Sequence, residues 1–179
     1  LRPLVFQVVK AMILELDFTT ITTTNYILER LLKRTLIYNE VGISPIPHDK
    51  MNSIFCSADK LYSSKNLWET ISLCRDRELI TDQENRFLNE IAREMIRNGF
   101  SHGDSSKVLR DLPEEQELLQ GNLANPSQVE RIKLNPKTIP FLQDQFLEMF
   151  VKANASWYFD SIFGIMTRIE DRLVAKSKA

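Results

Sequence analysis

Glycine is scarce in this chain. There are 5 in 179 residues, about 3%, where globular chains average about 7%. Tight hairpins and left-handed turns recruit glycine, so a sandwich or barrel of many short strands is a poor fit. Cysteine is scarcer still. Cys56 and Cys74 are 18 apart, with no CxxC pattern. That spacing fits reduced core thiols in a cytoplasmic protein better than a disulfide or a zinc site. No apolar run reaches the length of about 18 residues that a membrane helix needs. No charged, apolar and cleavage regions of a signal peptide open the chain. Position 1 is Leu rather than Met, as in a fragment or a processed chain. No P-loop, dinucleotide-binding glycine motif, G-x-S-x-G elbow or His-Glu-x-x-His pair is present.

What is present points to helices. Hydrophobic residues make up 43% and charged residues 26%, well mixed, with 23 basic against 24 acidic side chains. This argues for one folded domain over residues 1–179. Apolar spacings of three and four predict a helix over Leu4 to Leu16 and a second over Asn25 to Tyr38. Between them the threonine run 19–24 reads as a connection and first helical turn. Gly42 to Pro47 ends the second helix. Further helices are expected over Asp49 to Tyr62 and over Leu67 to about Leu79. Thr81 and Glu84 have capping-box spacing, ahead of an apolar stripe of Phe87, Leu88, Ile91, Ala92, Met95 and Ile96. Residues 103–136 read as a long irregular insertion with short helical pieces. A last segment from Pro140 to about Lys176 reads as one bent helix or two, interrupted at Gly164. The fold class is therefore all-α.

There are two histidines. His48, beside Pro47, reads as a surface loop residue. His102 follows the best-signalled helix. At about 100° per residue, Arg97 faces away from Leu88, and Asn98 and His102 stack one turn apart. Gly99 removes a side chain between them, and Gly103 reads as a helix stop. An imidazole gains or loses a proton near neutral pH, and a guanidinium fork matches phosphate oxygens. Such a pair suits RNA cleavage by attack of the 2′-hydroxyl, with no metal required. The plainer alternative is a polar last turn in which His102 complements the helix dipole.

The segment Ile96-Arg97-Asn98-Gly99-Phe100-Ser101-His102-Gly103-Asp104 resembles the Arg-x4-His motif of the HEPN (higher eukaryotes and prokaryotes nucleotide-binding) domain family. The resemblance implies a helical bundle that forms a homodimer through the motif face, with both protomers lining one cleft. It implies a cytoplasmic, metal-independent endoribonuclease of toxin or phage-defence type, needing no cofactor, with an antitoxin or regulatory chain as a further partner. His102 would move or position the proton, Arg97 would hold the scissile phosphate, and Asn98 would orient His102. Arg93 and Ser101 would contact the RNA. Toxins paired with nucleotidyltransferase antitoxins usually carry Tyr two residues after the His, where this chain has Asp104. Residues 75–110 hold seven basic and seven acidic side chains, so no basic patch surrounds the motif. That balance keeps open a non-catalytic HEPN-like module that dimerises or binds a partner or nucleotide. A helix-turn-helix regulator is a third reading, opposed by the lack of a basic recognition helix.

Overall fold

The computed structural model describes residues 1–101, 105–122 and 124–177. Its helices are α1 (Arg2–Ile13), α2 (Asp17–Val41), α3 (His48–Tyr62), α4 (Leu67–Asp76) and α5 (Asp82–Arg86). The chain continues from α5 into a π-helical segment (Phe87–Arg97) and then α6 (Asn98–Ser101). A 3-10 turn (Ser105–Lys107), strands β1 (Gln116–Asn122) and β2 (Asn125–Leu134), and α7 (Pro140–Lys176) complete it. The protein is mainly helical with one small antiparallel sheet.

Helix α2 is the hub. It packs on α7 most extensively, and also on α1, α3 and α4. Leu28, Leu32 and Leu36 of α2 are fully buried against Ile71 and Cys74 of α4, Leu88, Ala92 and Ile96 of the π-helical segment, and Tyr158, Ile162 and Ile165 of α7. A smaller cluster joins Val8, Ile27 and Phe159 from α1, α2 and α7.

The threonine run is helix, not connection. Thr24 Oγ1 donates to the Thr20 carbonyl at 2.7 Å and Thr22 Oγ1 to the Phe18 carbonyl at 2.9 Å. Back-bonding to the preceding turn lets β-branched hydroxyl residues sit inside a helix, and burial of Thr20 and Thr24 does the rest. Two helices stop earlier than their apolar periodicity suggests. Leu16 N–H reaches the Ala11 carbonyl at 2.8 Å, and Leu79 N–H reaches the Cys74 carbonyl at 2.8 Å. Both are Schellman closures with a glutamate at the left-handed position, Glu15 and Glu78, each at φ 55°. Gly42, at φ 82°, ends α2 as expected. Helix α7 is one continuous helix through Gly164.

The insertion is not irregular throughout. Strands β1 and β2 form a hairpin with Leu118 opposite Ile132 and Glu117 opposite Lys133. A single hairpin needs only one turn, so low glycine excludes a many-stranded sheet but not this one. Cys56 is a further correction. It is exposed on α3, while Cys74 alone is a core thiol. His48 is the first residue of α3 and is exposed. Among the described residues no helix is long and apolar enough to cross a membrane.

Candidate functional site

The motif stands at the end of a helical rod anchored at both ends. At its start, Thr81 Oγ1 accepts from the Glu84 N–H and Glu84 Oε2 accepts from the Thr81 N–H, at 3.2 and 2.8 Å. At its far end, Phe100 meets Phe18 of α2 edge-on at 5.9 Å and Phe150 of α7 at 6.1 Å. Between them the buried residues Leu88, Ala92 and Ile96 recur every four positions. That period exceeds the 3.6 of an α-helix, and the wider π winding, with i→i+5 bonds, accommodates it. The π winding shifts side chains from the angular positions an α-helix would give them. Arg97 does not project freely from a polar face; its side chain is 31% exposed and turns toward α2.

Arg97 Nε donates to Glu29 Oε1 at 3.1 Å. Arg97 Nη1 donates to Asn98 Oδ1 at 3.3 Å. Asn98 Nδ2 in turn reaches Glu94 Oε2 at 3.5 Å, so the amide links a guanidinium to a carboxylate. Glu94 does not pair with Arg97. It binds Arg93 Nη2 at 2.6 Å and Lys107 Nζ, from the 3-10 turn, at 3.2 Å. The Lys107 hydrogen bond holds the Glu94 carboxyl below its usual range, against a smaller opposing effect of burial. Arg93 also donates to Asn89 Oδ1 at 3.4 Å.

Arg93, Arg97 and Asn98 thus lie together, Arg93 joined to Asn98 through Glu94. Ser101 closes α6, and its side chain is outside the described residues. His102, Gly103 and Asp104 also lie outside them. Among the described residues three cations, Arg93, Arg97 and Lys107, meet two carboxylates, Glu29 and Glu94.

Glu29 was not anticipated from the sequence. It lies one turn after Asn25 on α2, and Asn25 Oδ1 accepts the Tyr158 hydroxyl at 2.6 Å in the buried core. Burial pushes the Tyr158 phenol well above its usual range, and the Glu29 charge adds to it. The readable signal was a polar Asn25–Glu29 step on the flank of an apolar helix face. Among the described residues no group of three or more His, Cys, Asp or Glu side chains is placed to hold a metal ion. No protein-family model matches the chain, and no curated protein or solved structure is significantly similar to it.

Proposed function

We propose that this chain is a HEPN-like, metal-independent endoribonuclease of toxin or phage-defence type, acting as a cytoplasmic homodimer on RNA. The observation that carries the reading is the Arg97–Asn98 pair, hydrogen-bonded at 3.3 Å near the end of a rod that closes at Ser101, with His102 next in sequence. In the proposed reaction the RNA 2′-hydroxyl attacks the adjacent phosphorus. His102 of the composite cleft takes that proton or returns one to the leaving 5′-oxygen. Arg97 stabilises the charge that grows on the phosphoryl oxygens. Glu29 fixes the guanidinium plane through Nε, and Asn98 fixes it through Nη1. The products are a 2′,3′-cyclic phosphate and a 5′-hydroxyl.

The dimer reading draws support from exposed apolar side chains at the α1–α2 corner, Ile13, Leu14, Leu16 and Phe18. Phe18 touches Phe100 of the motif rod. The test is incubation of the pure protein with RNA in EDTA. Cyclic-phosphate ends that disappear in His102→Ala and Arg97→Ala are expected. Intact RNA at high protein concentration, or cleavage unchanged in both variants, refutes the reading.

A second reading is favoured by one observation. Glu29 and Glu94 answer most of the positive charge of Arg93, Arg97 and Lys107. A non-catalytic HEPN-like module that dimerises and regulates another chain would tolerate this neutrality. That module leaves RNA intact in the same assay while still forming a dimer by solution mass.

A further inference from the structure

A second cleft lies between α5 and α7, about 570 Å³ in volume. Along one face of α7 it presents Trp157, Asp160, Ser161, Gly164, Arg168 and Arg172 in succession. Phe87 meets Trp157 edge-on at 5.9 Å across the cleft, which leaves the indole 47% exposed. Toward the other end Arg168 and Arg172 share one buried carboxylate, Glu84, at 2.6 and 2.8 Å. Two guanidinium charges thus meet one carboxylate charge. Arg168 uses only its Nε for Glu84. Among the described residues its two terminal nitrogens donate no hydrogen bond.

Gly164 explains why that guanidinium lies where it does. Glycine weakens a helix interior, yet α7 carries one at mid-length. A Cβ there would stand 3.2 Å from Arg168 Nη1. The missing side chain lets the guanidinium edge lie over the helix and face the cleft. Trp157 is seven residues from Gly164, about 10 Å along the helix. Between them stand the Asp160 carboxylate and the Ser161 hydroxyl. An acid group attached directly to a ring is too short to reach both ends. A flat ring, a hydroxylated spacer and a terminal oxyanion match the order of the side chains.

We propose that this cleft binds a nucleoside 5′-monophosphate group. The base stacks on Trp157, the sugar hydroxyls meet Asp160 and Ser161, and the phosphate takes the free edge of Arg168. The group arrives either as a free mononucleotide or as the 5′-phosphorylated end of an RNA. The site uses none of Arg97, Asn98 and His102, so it stands whether or not the chain cleaves RNA.

The test uses Trp68→Phe protein, in which Trp157 is the remaining tryptophan. Its emission is titrated with AMP, adenosine, inorganic phosphate and a 5′-phosphorylated oligoadenylate. Saturable quenching by AMP is expected, about tenfold or more tighter than with adenosine or phosphate. Quenching by the oligoadenylate alone assigns the RNA end as the source. Arg168→Gln should remove the preference for the phosphorylated probes. Gly164→Ala, which favours the helix, should weaken binding without lowering the melting temperature, which separates the site from a folding defect. His102→Ala should bind as the parent does. The proposal is overturned if neither AMP nor the oligoadenylate quenches. It is also overturned if adenosine binds as tightly as AMP, or if both cleft variants bind unchanged.

Discussion

Replacing Glu84 by Gln isolates one charge at the joint between α5 and α7. The Glu84 side chain is 7% exposed and accepts from the Thr81 N–H, Arg168 Nε and Arg172 Nη1 at 2.8, 2.6 and 2.8 Å. Glutamine keeps an oxygen for the Thr81 N–H, so the capping box survives. What it loses is the negative charge facing two arginines, and its amide hydrogens now point at donors. A hydrogen bond to a charged group is worth about 1.5–3 kcal/mol. Arg168 is 52% exposed, so its share falls toward that of a surface pair, about 0.5 kcal/mol. The expected loss is about 2–3 kcal/mol. For a chain of this length that lowers the melting temperature by about 4–12 °C. Burial alone would raise the Glu84 carboxyl, but the Arg172, Arg168 and Thr81 hydrogen bonds outweigh it and hold it low. Its contribution is therefore complete above the unfolded value of about 4.3 and is lost as pH falls through the lower folded value. Urea melts should show the full gap between parent and Glu84→Gln at pH 7 and a closing gap below about pH 4. Equal stability at pH 7, or a gap that widens in acid, would refute the assignment of this carboxylate as the charged clamp.

Other outcomes follow from the same geometry. Tyr158→Phe leaves Asn25 Oδ1 without its buried donor and should cost about 1–3 kcal/mol in urea melts; the added Asn25→Leu change should restore part of it. Under native conditions a thiol reagent should label Cys56 and spare Cys74, because burial pushes the Cys74 thiol up to about 12, with Arg77 only partly opposing. Rapid labelling of both would contradict the burial. If Arg97 binds phosphate, Glu29→Gln and Arg97→Ala should move RNA affinity in opposite directions, tighter and weaker. Filter binding across a salt series checks this, and shifts of the same sign would remove Glu29 as the competing anion.

Six of the helical segments were legible because a packed helix must repeat its apolar residues every three or four positions. The Thr81–Glu84 capping box was equally legible, since its chemistry is local. The differences have local causes too. Helices α1 and α4 end before their apolar periodicity does because the left-handed closing residues are Glu15 and Glu78, not glycine. The threonine run is helix rather than connection because back-bonding and burial outweigh its weak helix propensity. The hairpin at 116–134 was missed because its alternation is weak. Leu118 and Ile132 mark one face, while Leu119 and Val129 stay exposed on the other. At the site, Arg97 and Asn98 were legible as neighbours. Glu29 is 68 positions away and was not, since tertiary packing of α2 alone brings it in.

That long-range partner changes what the motif requires. Tyr158, Asn25, Glu29 and Arg97 form a polar line from the centre of the bundle to its surface. A buried hydrogen bond at 2.6 Å between Tyr158 and Asn25 locks α7 to α2 at one rotation, because slipping either helix would strand a polar group. Asn25 and Glu29 are one helical turn apart, so the same lock sets the Glu29 carboxylate. Glu29 then sets the plane of the Arg97 guanidinium through Nε. The rod itself is a π-helical segment, a winding found mostly as single turns, and Glu29 of the neighbouring helix is the contact that holds Arg97 Nε. On this argument, Tyr158→Phe, far from the surface, should loosen Arg97 as well as lower stability. In protein with the Arg97 side chain isotopically labelled, the Arg97 Nε–H signal should broaden or exchange faster with solvent in Tyr158→Phe than in an equally destabilised control such as Ile71→Val. An unchanged Arg97 signal in Tyr158→Phe would mean that the motif is positioned by its own helix alone.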